Sequence, residues 1–190
     1  MADIHVIRDL RLTLKTLLFP LIPELGTEND IIFDSPGDID DSDTTTKLTA
    51  FLYHIVENSF MRNTPPTFKN YTEKKVNPLT LDLHIMFVAY ANNRETEIIV
   101  MERLMRTLYD NSLLKGEILE ENLITSGNDE IKIVPQTLSL DDLNKLWSTF
   151  PNKPFKLSKS YIFTPVKIPS ERIEEVPRVR EKIITSAATG

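Results

Sequence analysis

Two long alternating stretches restrict this chain more than any other feature. In Lys47–Val56, the residues Leu48, Ala50, Leu52, His54 and Val56 share one side, and Thr49, Phe51, Tyr53 and Ile55 share the other. In Leu79–Tyr90, the odd-numbered residues Leu79, Leu81, Leu83, Ile85, Phe87 and Ala89 make a continuous apolar face. The even-numbered ones, Thr80, Asp82, His84, Met86, Val88 and Tyr90, make a mixed face. A period of two predicts strands. A strand that is apolar on both faces must be central, covered on two sides or buried by a neighbouring subunit. The chain has 190 residues, enough for one sizeable core.

Helical spacing supplies the covering layers. Ile4, Ile7, Leu10, Leu14, Leu17, Leu18 and Leu21 recur every three or four residues, with Asp3 as a candidate cap and Pro20 and Pro23 as terminators. Asn92 and Asn93 mark a turn or helix entry before a helix over Glu95–Asp110, with Ile98, Met101, Met105 and Leu108 on its inner face. Ser139 and Asp142 form a capping box with Asp in place of Glu or Gln, and Leu138 and Leu143 form a hydrophobic staple. Leu143, Leu146, Trp147 and Phe150 then give that helix an apolar face, which Pro151 and Pro154 end. A last strand follows, with Tyr161 and Phe163 on one face and Ile162, Val166 and Ile168 on or toward the other.

Short runs complete the order. Ile31–Phe33 reads as a short strand, and Glu130–Val134 as another with Ile131 and Ile133 inward, after a turn at Ser126, Gly127 and Asn128. The stretch from Glu57 to Lys75 is polar, contains Pro65 and Pro66, and reads as a long excursion. The result is one α/β (α+β) domain over 1–168, with a single mixed or antiparallel sheet flanked by helices. From Pro169 the composition changes to charged residues and a small-residue end. Residues 169–190 therefore read as a tail or assembly arm outside the core.

The chemistry sought in the sequence is mostly missing. There is no cysteine, so disulfides, thiolate chemistry and Cys–zinc sites are excluded. There is no P-loop and no Gly-x-Ser-x-Gly elbow. The net charge of −6 and the lack of a long basic run argue against nucleic acid or an anionic membrane as the main partner. No apolar run approaches the ~18 residues needed to span a bilayer. The start of the chain lacks the basic region and apolar core of a signal peptide, so export by the general secretory route is not expected.

Asp38, Asp40, Asp41 and Asp43 invite a calcium reading. The spacing fails it, because Asp43 stands where an EF-hand loop needs its glycine. A solvated acidic loop is the expectation, with no metal, cofactor or catalytic residue assigned. Asp82 and His84, two apart on one strand face, could orient a proton transfer. A structural hydrogen bond or an interface contact is the plainer reading, since no nucleophile stands near them in any motif. Trp147 and Tyr161 could stack on a ligand, but the periodicity puts Trp147 in the core.

Several stretches together resemble one family. They are Lys47–Asn63, Pro78–Tyr90, Met105–Asn111, Leu138–Trp147 and Ser158–Tyr161. They are similar to the N-terminal domain of the cap, or tube-terminating, proteins of phage-tail-like contractile injection systems, of which the antifeeding prophage and the Photorhabdus virulence cassette are examples. The resemblance implies a fold similar to contractile-phage tail terminators and a structural, non-enzymatic role. It implies a six-fold ring of copies on the inner tube protein and the outermost sheath layer, stopping tube growth. It also implies synthesis in the bacterial cytoplasm and a place at the distal end of a contractile particle. The competing reading is a small soluble enzyme or ligand-binding domain using the Asp82/His84 face.

Overall fold

The computed structural model describes residues 5–40, 43–62, 67–68, 73–170 and 172–175. Helix α1 (Val6–Leu18) runs into a 3₁₀ turn over Phe19–Leu21, where Pro20 lacks the N–H that a longer helix needs. The expected cap Asp3 and the apolar Ile4 lie outside the described residues. Strands β1 (Ile31–Ile32), β2 (Lys47–Glu57), β3 (Thr67–Phe68), β4 (Glu73–Lys75) and β5 (Leu79–Tyr90) follow. Then come α2 (Arg94–Asp110), β6 (Leu113–Lys115), α3 (Glu121–Thr125), β7 (Glu130–Gln136), α4 (Leu140–Trp147), β8 (Ser158–Ile168) and β9 (Ile173–Glu175).

Six strands form one mixed sheet in the order β1-β2-β5-β8-β7-β6. Only β1 runs parallel to its neighbour; the other pairs are antiparallel. The two long strands sit together as expected, from Lys47 opposite Tyr90 to Glu57 opposite Leu81. One face of this sheet meets α1, α2 and α3. Leu10, Leu14 and Leu18 of α1, Met101 and Leu104 of α2 and Leu123 of α3 close over Leu48, Leu83, Phe87, Ile131 and Phe163. The other face carries a smaller cluster, in which Trp147 and Phe150 pack on Met86, Val88, Tyr90 and Ile39. A sheet buried on both faces is what the doubly apolar strands require.

Caps fix the helix starts. The Asn93 side chain accepts from the Thr96 N–H at 2.8 Å and begins α2. Ser139 accepts from the Asp142 N–H at 3.1 Å, as expected of the cap, and its hydroxyl donates to the Asp142 carboxylate at 2.7 Å. Leu138 and Leu143 are both half-buried beside it.

Three expectations need correction. The inner face of α2 is Val100, Met101, Leu104 and Leu108, while Ile98 and Met105 are 48% and 41% exposed. Met101 and Leu108 face inward as expected, and the stripe is completed by Val100, Leu104 and Glu97, which stays buried beside Arg94 and Lys156. In β8, Val166 is buried in the main core. The cause is an irregularity that pairs Leu81 with Val166 but Leu83 with Phe163, inserting an extra residue at Thr164 and Pro165. Finally, Glu57 to Lys75 is more than an excursion. Strands β3 and β4 pair there, and β9 joins them in a second, three-stranded sheet with Lys74 opposite Glu174. Beyond Ile168, β9 pairs with β4 through three residues, and residues 176–190 lie outside the described residues.

Candidate functional site

The part of the sheet that α4 leaves uncovered holds the chemistry-bearing residues. A β-bulge in β2 places them. Leu52 pairs with Ile85, but His54 pairs with His84, so one extra residue stands on β2 at Tyr53. The alternation reverses there. His54 leaves the side of Leu48 and Leu52, where simple periodicity puts it, and joins His84, ring centroids 5.1 Å apart. Tyr53 stays on this face, where alternation puts it, 6.0 Å from the His84 ring.

Asp82 and His84 share this face but do not act as a pair. The Asp82 carboxylate accepts from Asn58 Nδ2 at 3.0 Å and from the Thr164 hydroxyl. It is thus a clasp between the end of β2 and the irregular part of β8. His84 Nδ1 meets Gln136 Oε1 at 3.0 Å, and the Tyr53 hydroxyl donates to the same oxygen at 2.8 Å. An amide oxygen only accepts, so Nδ1 of His84 carries the proton in this arrangement. Burial pushes the Tyr53 phenol above its ordinary range, which keeps it a donor. The network joins β2, β5 and β7 across the sheet. Among the described residues it pairs no nucleophile with a base.

The acidic loop is held to the other end of the sheet. Ser35 caps a short turn over Pro36–Asp38, accepting from the Gly37 N–H at 3.1 Å. Asp43 pairs with Lys47 and accepts from Thr45. Lys47 first, then Thr45, hold the Asp43 carboxyl well below the usual carboxylate range. The Lys153 ammonium donates to the Ile39 carbonyl. These contacts border a cleft of about 270 Å³ lined by Asp40, Asp43, Lys47 and Lys156, in which Lys47 pairs with Asp43. Asp41 lies outside the described residues. Among the described residues, no group of three or more His, Asp or Glu is arranged to hold a metal ion.

Of the two stacking candidates, Trp147 is 4% exposed and its indole N–H donates to Ser158 Oγ at 3.2 Å. Tyr161 is buried against Phe87 in the main core. Both are packing residues. No described helix is long and apolar enough to cross a membrane.

The model of the Pvc16 N-terminal domain matches residues 9–182. No curated protein sequence matches the chain. Among solved structures, the fold is similar to the sheath/tube terminator of an extracellular contractile injection system, PVC, in its extended state. The TM-score is 0.67 at 18% identity, covering 99% of this chain and 66% of that one. It is also similar to the tube-terminating cap of the anti-feeding prophage, with a TM-score of 0.65 at 19% identity over 94% of this chain and 61% of that one. The chain thus spans just under two thirds of the length of these relatives. The expected mixed sheet flanked by helices, of terminator type, is the fold observed.

Proposed function

We propose that this chain, which belongs to the Pvc16 N-terminal domain family, is a structural cap of a contractile injection particle. Copies form a six-fold ring that ends the inner tube and the distal sheath layer. The observation that carries this reading is the likeness of nearly the whole chain to two proteins named for that position. The site geometry supports it, because the Asp82/His84 face is a structural network and offers no reaction. Cyclic rings need two different patches on each subunit, and this molecule has two dissimilar sheet edges. Residues 1–168 supply the ring body, and residues 169–190 act as an arm between neighbours. The chain is made in the bacterial cytoplasm and acts at the distal end of the particle, without nucleic acid, membrane or cofactor.

The test is assembly. The purified chain is weighed alone and with tube and sheath protein, and the products are imaged by electron microscopy. Six-fold rings on tube ends, with tubes of uniform length, are expected. A chain that stays monomeric and leaves tube and sheath untouched would sink this reading.

A further inference from the structure

The main sheet treats its two edges differently. On one side, β6 covers the start of β7, and beyond it Pro135 removes a backbone N–H from the remaining edge. Short strands, lysines and prolines are the usual devices that stop an edge from recruiting another strand. β6 is short, ends in Lys115 and lies next to Pro135, so this edge is blunted.

The opposite edge is guarded only in part, by the two-residue β1 and by the bulge at Tyr53. β1 pairs with β2 only at Leu48 and Thr49, and β2 continues to Glu57. From Phe51 to Val56 the sequence is Phe-Leu-Tyr-His-Ile-Val, with no lysine, proline or carboxylate. Among the described residues, no backbone hydrogen bond reaches this edge from outside the sheet. Ile55 is 47% exposed.

A second observation lies beside it. Between α1 and the sheet there is a cavity of about 160 Å³ lined by Ile7, Leu10, Leu14, Phe33, Leu52 and Ile85. Cavities of roughly this size, about 150 Å³, take a benzene-sized group. Arg11 also lines it, its guanidinium 4.6 Å from the centre of the Phe33 ring. Arg11 is exposed, and no carboxylate is paired with it among the described residues.

We infer that the outer edge of β2, from Phe51 to Val56, receives an extended segment of another polypeptide, with a bulky apolar side chain entering the α1 cavity and a carboxylate meeting Arg11. Strand addition draws affinity from main-chain hydrogen bonds and specificity from pockets that take alternate side chains. Residues two apart point to the same face of a strand. The recognised pattern is therefore a bulky apolar residue and an acidic residue two positions apart. The cation at the cavity selects an acidic residue over a basic one beside the apolar anchor.

The test uses the full chain and a synthetic peptide, acetyl-Thr-Thr-Phe-Thr-Asp-Thr-Thr-amide, with a control in which Lys replaces Asp. Amide hydrogen exchange is read at Phe51 to Val56, and binding by fluorescence anisotropy. The Asp peptide should protect these amides and bind at least tenfold more tightly than the Lys peptide. Ile55→Lys and Arg11→Glu change exposed side chains, so both should fold; the first should abolish binding and the second should reverse the preference. Edge amides that exchange equally fast at millimolar peptide overturn the inference. So does protection that rises with protein concentration alone, which assigns the edge to a second copy. Protection lost on deleting residues 176–190 overturns it too, assigning the edge to the chain's own end. None of these results depends on ring formation, so the cap reading stands or falls separately.

Discussion

At the scale of single residues, Trp147 holds the smaller core together. It makes edge contacts with Phe150 at 5.5 Å, lies 5.5 Å from Phe155 and gives its N–H to Ser158. Trp147→Ala leaves a cavity that α4, tied at Ser139 and stopped at Pro151, has little freedom to close. Losses of about 3–5 kcal/mol accompany such truncations, and we expect unfolding in denaturant to shift by that amount. A variant that melts like the parent but no longer assembles would make Trp147 an interface residue instead. Asp43 is the opposite case. Its pair with Lys47 is on the surface, where ion pairs contribute little. Replacing Asp38, Asp40, Asp41 and Asp43 with Asn should leave the melting temperature nearly unchanged, with or without calcium. Calorimetry with added calcium checks this, and a clear calcium-dependent rise in the parent would overturn it.

At the scale of elements, the cap of α4 is pH-sensitive in a definite direction. Ser139, the largest influence, holds the Asp142 carboxyl below its ordinary value. A carboxyl lowered on folding stabilises above its unfolded pKa, about 4, and that contribution fades as pH falls through the lower folded value. Ser139→Ala should therefore lower stability at neutral pH, with the difference from the parent shrinking below pH ~4. Parallel denaturant titrations at pH 7 and pH 3 would measure it. This cap was legible in the sequence because its signal is local: Ser139, Asp142 and the Leu spacing stand within one turn. The two long strands were legible for the same reason. What was not legible depends on pairing across the chain. The bulge at Tyr53 and the extra residue at Thr164 reverse the alternation after them, and only the partner strand β5 defines them. His54 and Val166 changed faces on that account. The Asp82/His84 spacing was visible, but its partners Asn58, Gln136 and Thr164 are 24, 52 and 82 residues away. The small sheet joins β4 to β9 across most of the chain, with too few residues per strand to show a period.

At the scale of the whole molecule, charge opposes the assembly that the fold suits. Each copy carries a net charge of −6, so copies brought together repel one another. The apolar groups available for contact are local, such as Ile98 and Met105 on α2, and burying them is insensitive to screening. Long-range repulsion, by contrast, is screened over a Debye length that falls from about 30 Å at 0.01 M salt to about 8 Å at 0.15 M. Self-association of the chain should therefore strengthen as salt is raised from low to physiological concentration. Arm removal separates this from folding. Deleting residues 170–190 takes away β9, whose only strand partner among the described residues is the three-residue β4. We expect the melting temperature to change little and the salt-promoted association to weaken. Sedimentation velocity of parent and deletion variant across a salt series makes the measurement. Association that weakens with salt in the parent would show that opposite charges, rather than apolar surface, join the copies. Association that is unchanged in the deletion variant would remove the arm from the interface.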